Sequence, residues 1–230
     1  YDHKTFEDRV DATASVTDKK VGVLMAGLHG NHRDALLGGG VTTYSGTLHV
    51  GKVDIETPVA LAADQATARS NGHFNKLSFA VARLQNVTNS VSLYAGLNGQ
   101  LASKNLDASE KIGLGGAYGV RAYPQGEGYG DEGFILNLEA RYLLPPTLQP
   151  SVGRVHLVGF FDAGHVKIDK RPWLPGDNDR TLSGAGLGVT WEDYNNFLVR
   201  AYYAFKVGSE DAISAPDKDG RLWVQLVKYF

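Results

Sequence analysis

Apolar side chains that alternate with polar or small ones, in segments of about nine to ten residues, recur along the chain and constrain its fold more than any other feature. In Phe134–Tyr142, Phe134, Leu136, Leu138, Ala140 and Tyr142 alternate with Asn137, Glu139 and Arg141. An extended backbone sends these two sets to opposite faces, whereas a helix would scatter both around its circumference. The pattern returns at Arg154–Val166, at Leu182–Trp191, where Gly184, Gly186 and Gly188 occupy the second face, and at Phe197–Phe205 and Arg221–Phe230. Phe6–Ala14, Lys20–His29, Thr42–Val53, Phe74–Leu84, Val91–Leu101 and Lys111–Val120 complete a predicted set of about eleven strands.

Segments near ten residues suit a tilted strand crossing a hydrocarbon layer and exceed the five or six usual in soluble sheets. No apolar run reaches the roughly 20 residues that a membrane-spanning helix requires; Leu198–Phe205 is interrupted by Arg200. The connections differ in kind, with Glu192–Asn195 tight and Lys167–Arg180 and Val207–Gly220 long and polar. Short turns on one side and long loops on the other predict an all-β fold, an antiparallel transmembrane β-barrel. Asp54–Gly72 fits this count badly, because it falls on the short-turn side. A net charge of −2 argues against a nucleic-acid partner, which would call for a basic stripe. The absence of cysteine removes thiolate nucleophiles and thiolate metal sites.

Leu114–Pro124 (LGGAYGVRAYP), Gly130–Gly133 (GDEG) and Leu138–Tyr142 (LEARY), followed by Phe160–Gly164 (FFDAG) and a terminal Phe230, resemble the two-partner secretion transporters. These are the haemolysin secretion/activation proteins of the outer-membrane assembly superfamily. Weaker echoes at Gly27–Gly30 with Arg33 and Asp34, at Gly99 and Gln100, and at Leu106 extend the resemblance over nearly the whole chain. It implies that residues 1–230 are the C-terminal part of a sixteen-stranded barrel in the bacterial outer membrane. Two periplasmic receptor domains, a plug helix and the first strands would then lie upstream. It also implies export of a secreted partner protein of haemolysin or adhesin type, without an enzymatic step or cofactor, by a barrel that contacts outer-membrane lipid and is inserted by the barrel assembly machinery. The chain departs from the family pattern twice: Ala122 stands where glycine is common, and Lys228 where an aromatic residue is preferred.

The same resemblance assigns Arg121 and Asp162 to a pair that latches an inward-folded loop, with Val120, Ala122, Tyr123 and Pro124 as the rest of its motif. Alternation independently puts Asp162 on the face of His156, the expected lumen side. A guanidinium holds a carboxylate through two charge-assisted hydrogen bonds, which fixes direction as well as contact. Glu139 and Arg141 share a polar face, and either line the conduit or anchor the inward loop, or are merely solvated. Phe230 reads as an insertion signal, and Trp223 with Tyr229 as members of an aromatic girdle or as ordinary strand formers.

Other features point nowhere special. The glycines of 113–116 and 184–188 lack dinucleotide-loop spacing and read as sites of close packing. His29 and His32 open a loop without further metal ligands, Glu127, Asp131 and Glu132 read as solvated loop carboxylates, and Asn86–Thr88 only matches a glycosylation acceptor. The alternatives to a secretion barrel are an assembly barrel of the same superfamily, a passive porin-like barrel and a soluble β-sandwich. Solubility without detergent would identify the last of these.

Overall fold

A computed structural model describes residues 1–10 and 15–230. The order is β1 (Asp2–Val10), β2 (Ser15–Asp34), β3 (Gly40–Ile55), α1 (Pro58–Ala66), β4 (Gly72–Asn86) and β5 (Val91–Ala102). A short ribbon of β6 (Ile112–Gly113) and β7 (Tyr129–Gly130) follows. The chain then forms β8 (Glu132–Leu143), β9 (Arg154–Lys167), β10 (Asp179–Asp193), β11 (Phe197–Lys206) and β12 (Gly220–Lys228). All strands but β6 and β7 join one antiparallel sheet of ten, each beside its neighbour in chain order. Among the described residues β1 and β12 do not pair, so the sheet is open.

Period-two alternation gives this sheet two unlike faces. On one, large apolar side chains stand clear of the protein, with Leu187 at 70% and Leu226 at 73% exposure. A soluble sandwich would clasp such rows together; here they stay uncovered, as on the outer wall of a transmembrane barrel. The other face is filled by the protein itself, as the loop 103–131 between β5 and β8 folds across it. Leu114, Val120, Ala122 and Tyr123 from that loop pack on Ile135, Val158, Phe160, Val166, Leu182 and Ala204 of the wall. Each large side chain fully buried in this way contributes about 1.5–3 kcal/mol.

Three predicted boundaries change. Lys111–Val120 is not a wall strand, since only Ile112–Gly113 is extended and the remainder turns inward with Gly116 at φ +126°. The predicted Phe6–Ala14 strand begins earlier, at Asp2, and its last four positions, 11–14, lie outside the described residues. His29 and His32, expected in a loop, belong to β2 and point to opposite faces, which separates them as ligands.

Removing one strand from the count reverses the sides of all earlier connections. The segment 56–71, which carries α1, thereby joins the long connections 103–131, 168–178 and 207–219, while the other side carries the short turns 35–39, 87–90 and 194–196 and the longer 144–153. The misfit at Asp54–Gly72 disappears. Pro58 at the first turn of α1, where its missing N–H costs no hydrogen bond, suits that helix start.

Candidate functional site

Loop 103–131 is shaped locally before it is held globally. The Leu114 N–H donates to the Glu127 carbonyl (3.0 Å), and the Val120 N–H donates to the Leu114 carbonyl (2.8 Å), drawing 114–127 into a compact fold. Its tip presents Arg121 to β9. The Asp162 Oδ2 accepts from Arg121 Nε (2.8 Å) and from the Arg121 backbone N–H (3.1 Å), and Oδ1 accepts from Nη2 (2.8 Å). Asp162 is fully buried and Arg121 is 3% exposed.

Each guanidinium nitrogen and each carboxylate oxygen of this pair has a partner. Arg121 Nη1 donates to Glu139 Oε1 (2.8 Å), and Arg141 Nε donates to Glu139 Oε2 (2.9 Å). Asn137 Nδ2 donates both to Asp162 Oδ1 (2.8 Å) and to the Gly119 carbonyl (2.9 Å). The guanidinium lies 3.6 Å from the centre of the Phe160 ring, a cation–π contact. Trp223 Nε1 donates to the Arg121 carbonyl (2.7 Å), so this tryptophan faces inward and not into a membrane girdle.

Sheet register explains why the pocket exists. Asn137, Asp162 and Gly184 lie side by side on β8, β9 and β10. A Cβ on Gly184 would stand 2.5 Å from that of Ala122, so the missing side chain admits the loop. One row along, Gly186 leaves room for the Phe160 ring that supports the guanidinium. The other motif residues, Val120, Ala122, Tyr123 and Pro124, are buried, and Tyr123 Oη donates to the Glu210 carbonyl (2.9 Å). Phe230 lies past the end of β12 and is exposed. Beneath the tip, Tyr94, Tyr118, Arg141, Arg200, Tyr202 and Gln225 line a polar cavity of about 330 Å³.

Two carboxylates expected to be solvated are fully buried: Glu127 and Asp131. Glu127 pairs with Arg180 and accepts from the N–H groups of Ile213 and Ser214 (both 2.9 Å) and from Ser214 Oγ (2.7 Å). Burial alone would push its carboxyl up, but these donors outweigh burial and hold it below the usual range. Asp131 accepts from the N–H groups of Leu106 (3.0 Å) and Lys170 (2.7 Å), with Lys111 Nζ at 3.3 Å. There burial prevails and raises the carboxyl pKa. Glu132, the third of these carboxylates, pairs with Lys170 (2.6 Å). No local pattern marks Glu127 as buried, because its partners lie 53 to 87 residues away.

At the rim of the same loop, Glu110 pairs with Lys4 (2.8 Å) and Lys76 (2.9 Å), and Asp107 with Lys19 (3.0 Å). Burial pushes both carboxyls up, yet the lysines, together with Ser109 at Asp107, hold them below their ordinary values.

The model of the family described as "Haemolysin secretion/activation protein ShlB/FhaC/HecB" matches residues 25–191, well over half of the chain. The heme/hemopexin transporter protein HuxB of Haemophilus influenzae (strain ATCC 51907 / DSM 11121 / KW20 / Rd) is 26% identical over 233 residues, covering 100% of this chain and 40% of that protein. The outer membrane transporter CdiB of Dickeya dadantii (strain 3937) is 28% identical over 166 residues, covering 70% of this chain and 27% of its own length. In fold, CdiB from Escherichia coli superposes with a TM-score of 0.57 at 16% identity, over 97% of this chain and 48% of that one. CdiB from Acinetobacter baumannii gives 0.51 at 15% identity, over 97% and 46%. The chain thus spans less than half the length of these relatives.

Proposed function

The chain belongs to the haemolysin secretion/activation protein family, a family of outer-membrane secretion transporters and not of enzymes, and from that membership we propose that the whole protein exports a secreted partner protein through its barrel. In this reading loop 103–131 is an inward loop latched in the lumen by Arg121 on Asp162. The partner is a large exoprotein of haemolysin or adhesin type. We place the remaining barrel strands and the periplasmic receptor domains in the part of the relatives that this chain does not span. Phe230 serves as the signal read by the barrel assembly machinery.

The observation that carries the latch is the two-pronged contact of a buried guanidinium with a fully buried carboxylate. A loop wedged in place by apolar contacts alone could settle in several registers; two parallel charge-assisted hydrogen bonds accept one. Glu139 and Asn137 add further contacts to the two groups, so the pair does not leave a stray buried charge. With the latch holding the loop against β8–β11, the cavity beneath its tip is lined by Arg141 and Arg200.

Arg121→Ala is expected to lower export of a co-expressed partner several-fold while the barrel still reaches the outer membrane as a heat-modifiable band. Removing one member of a dehydrated pair costs about 3–5 kcal/mol, less where lumen water reaches the gap. Unchanged secretion by this variant would remove the latch from the mechanism.

A further inference from the structure

The outward row of β4 runs His73, Asn75, Leu77, Phe79, Val81, and Leu77 pairs in register with Leu101 on β5. The apolar band therefore stops at Leu77 and Leu101, on the long-loop side of the sheet. Immediately beyond it, Arg69, His73, Lys104 and Arg171 line one depression together with Asp64, and Arg69, Lys104, Arg171 and Trp173 line another beside it.

These three cations differ from most others in the chain. Lys4, Lys19, Lys76, Lys111, Arg121, Lys170, Arg180 and Lys206 all sit in ion pairs. Among the described residues no carboxylate lies within 4.0 Å of Arg69, Lys104 or Arg171. The nearby Asp64 is committed elsewhere, accepting from Ser70 N (2.8 Å), Ser70 Oγ (2.7 Å) and Asn71 N (3.0 Å). Arg69 uses Nε on the Gln65 carbonyl, Lys104 Nζ donates to the Asn71 carbonyl, and the Arg171 guanidinium makes no hydrogen bond among the described residues.

The grouping is built, because Asn105, 4% exposed, holds the three segments together. Its Nδ2 donates to the Ala68 carbonyl (2.8 Å) and the Arg171 carbonyl (2.9 Å), and its Oδ1 accepts from the Arg171 N–H (2.6 Å). Burial and the neighbouring Arg171 push the Lys104 ammonium pKa down, with Asp64 opposing, so this charge sits where an added anion would relieve it.

We propose that Arg69, Lys104 and Arg171 bind the phosphate of a phosphorylated glycolipid head group in the leaflet that meets the long-loop side. Planar guanidinium forks match phosphate oxygens, and basic clusters placed just past an apolar span recognise anionic lipid head groups. Trp173, 40% exposed, adds an aromatic surface at the same level. The site is separate from the latch and does not depend on export.

The full-length protein in detergent should be titrated with lipid A carrying its phosphates, with dephosphorylated lipid A and with inorganic phosphate, and bound lipid counted by native mass spectrometry. Arg171→Gln is expected to weaken lipid A binding about fivefold, and the triple glutamine variant at 69, 104 and 171 about a hundredfold. Arg171→Gln removes no intramolecular hydrogen bond recorded for that side chain, so its folding is not at stake. Dephosphorylated lipid binding as tightly as lipid A would overturn the proposal, as would equal binding by wild type and triple variant. Full competition by equimolar inorganic phosphate would overturn the assignment to a glycolipid.

Discussion

The two ends of loop 103–131 are fastened by opposite means. At its start, loop carboxylates reach out to lysines on β1, β2 and β4; at its tip, a loop arginine reaches in to a carboxylate on the wall. The rim lysines are point charges on flexible stems, and the Lys4 side chain is 36% exposed. The tip is a rigid fork closed on an aspartate with no exposure at all. Rim pairs tolerate sliding and screening by salt, whereas the tip accepts one geometry. Position is therefore set at Arg121, and the rim adds hold without adding register.

That contrast can be broken from either end. The largest effect belongs to Arg121→Ala, described above. Next comes Glu127→Gln, which keeps the shape but removes the charge that gathers Arg180, Ile213 and Ser214. Hydrogen bonds to charged groups contribute about 1.5–3 kcal/mol each, so thermal unfolding of the barrel should move measurably lower. Loop 207–219 should also become a protease site. An unchanged melting temperature with an intact loop would mean that Glu127 fastens nothing.

The smallest effect is expected at the rim. Glu110→Gln should cost less than Arg121→Ala, because glutamine keeps the side chain's shape and because Lys4, one of its two partners, is open to solvent. Glu110 and Lys76 are themselves only 3% and 10% exposed. The Lys4 part of the Glu110 contribution should weaken in molar salt, where the screening length falls to about 3 Å, while the buried Lys76 contact is screened less. Because Glu110 and Asp107 are held below their ordinary values, their contribution is complete above the unfolded carboxylate range near pH 4 and is lost as pH falls through the folded values. Asp131, raised by burial, contributes with the opposite sign: it favours folding at low pH and loses that contribution as pH rises. Unfolding scans at two salt concentrations separate rim from tip, since the buried tip is little screened, and scans across pH 3–6 follow the rim carboxyls. Equal salt sensitivity of Glu110→Gln and Arg121→Ala would erase the distinction.

Much of the wall was legible because a strand writes its two faces into every second residue. Phe134–Tyr142 and Phe197–Phe205 fall within β8 and β11, and the glycines at 184 and 186 mark the places where Ala122 and Phe160 pack. Lys111–Val120 was misread because a loop packed inside a barrel is apolar too; its Ile112, Leu114 and Val120 mimic a wall strand while facing the lumen. The density of glycine there was the available signal. Gly119 has no space for a side chain against the Leu114 carbonyl, and Gly116 takes a backbone conformation that other residues avoid. The helix α1 was announced only by Thr57–Pro58 and an alanine-rich run. Glu127 and Asp131 could not be distinguished from surface carboxylates, since their burial depends on loops that meet only in three dimensions.

The position of the loop can be read without reference to export. The chain contains no cysteine, so Ala122→Cys combined with Gly184→Cys introduces one pair at positions whose Cβ atoms nearly coincide. Modest relaxation brings them to the separation of about 3.8 Å that a disulfide needs. Outer membranes oxidised under mild conditions should show nearly complete cross-linking, falling sharply when Arg121→Ala is added. Equal yields with and without Arg121 would contradict a loop held in the lumen by its arginine.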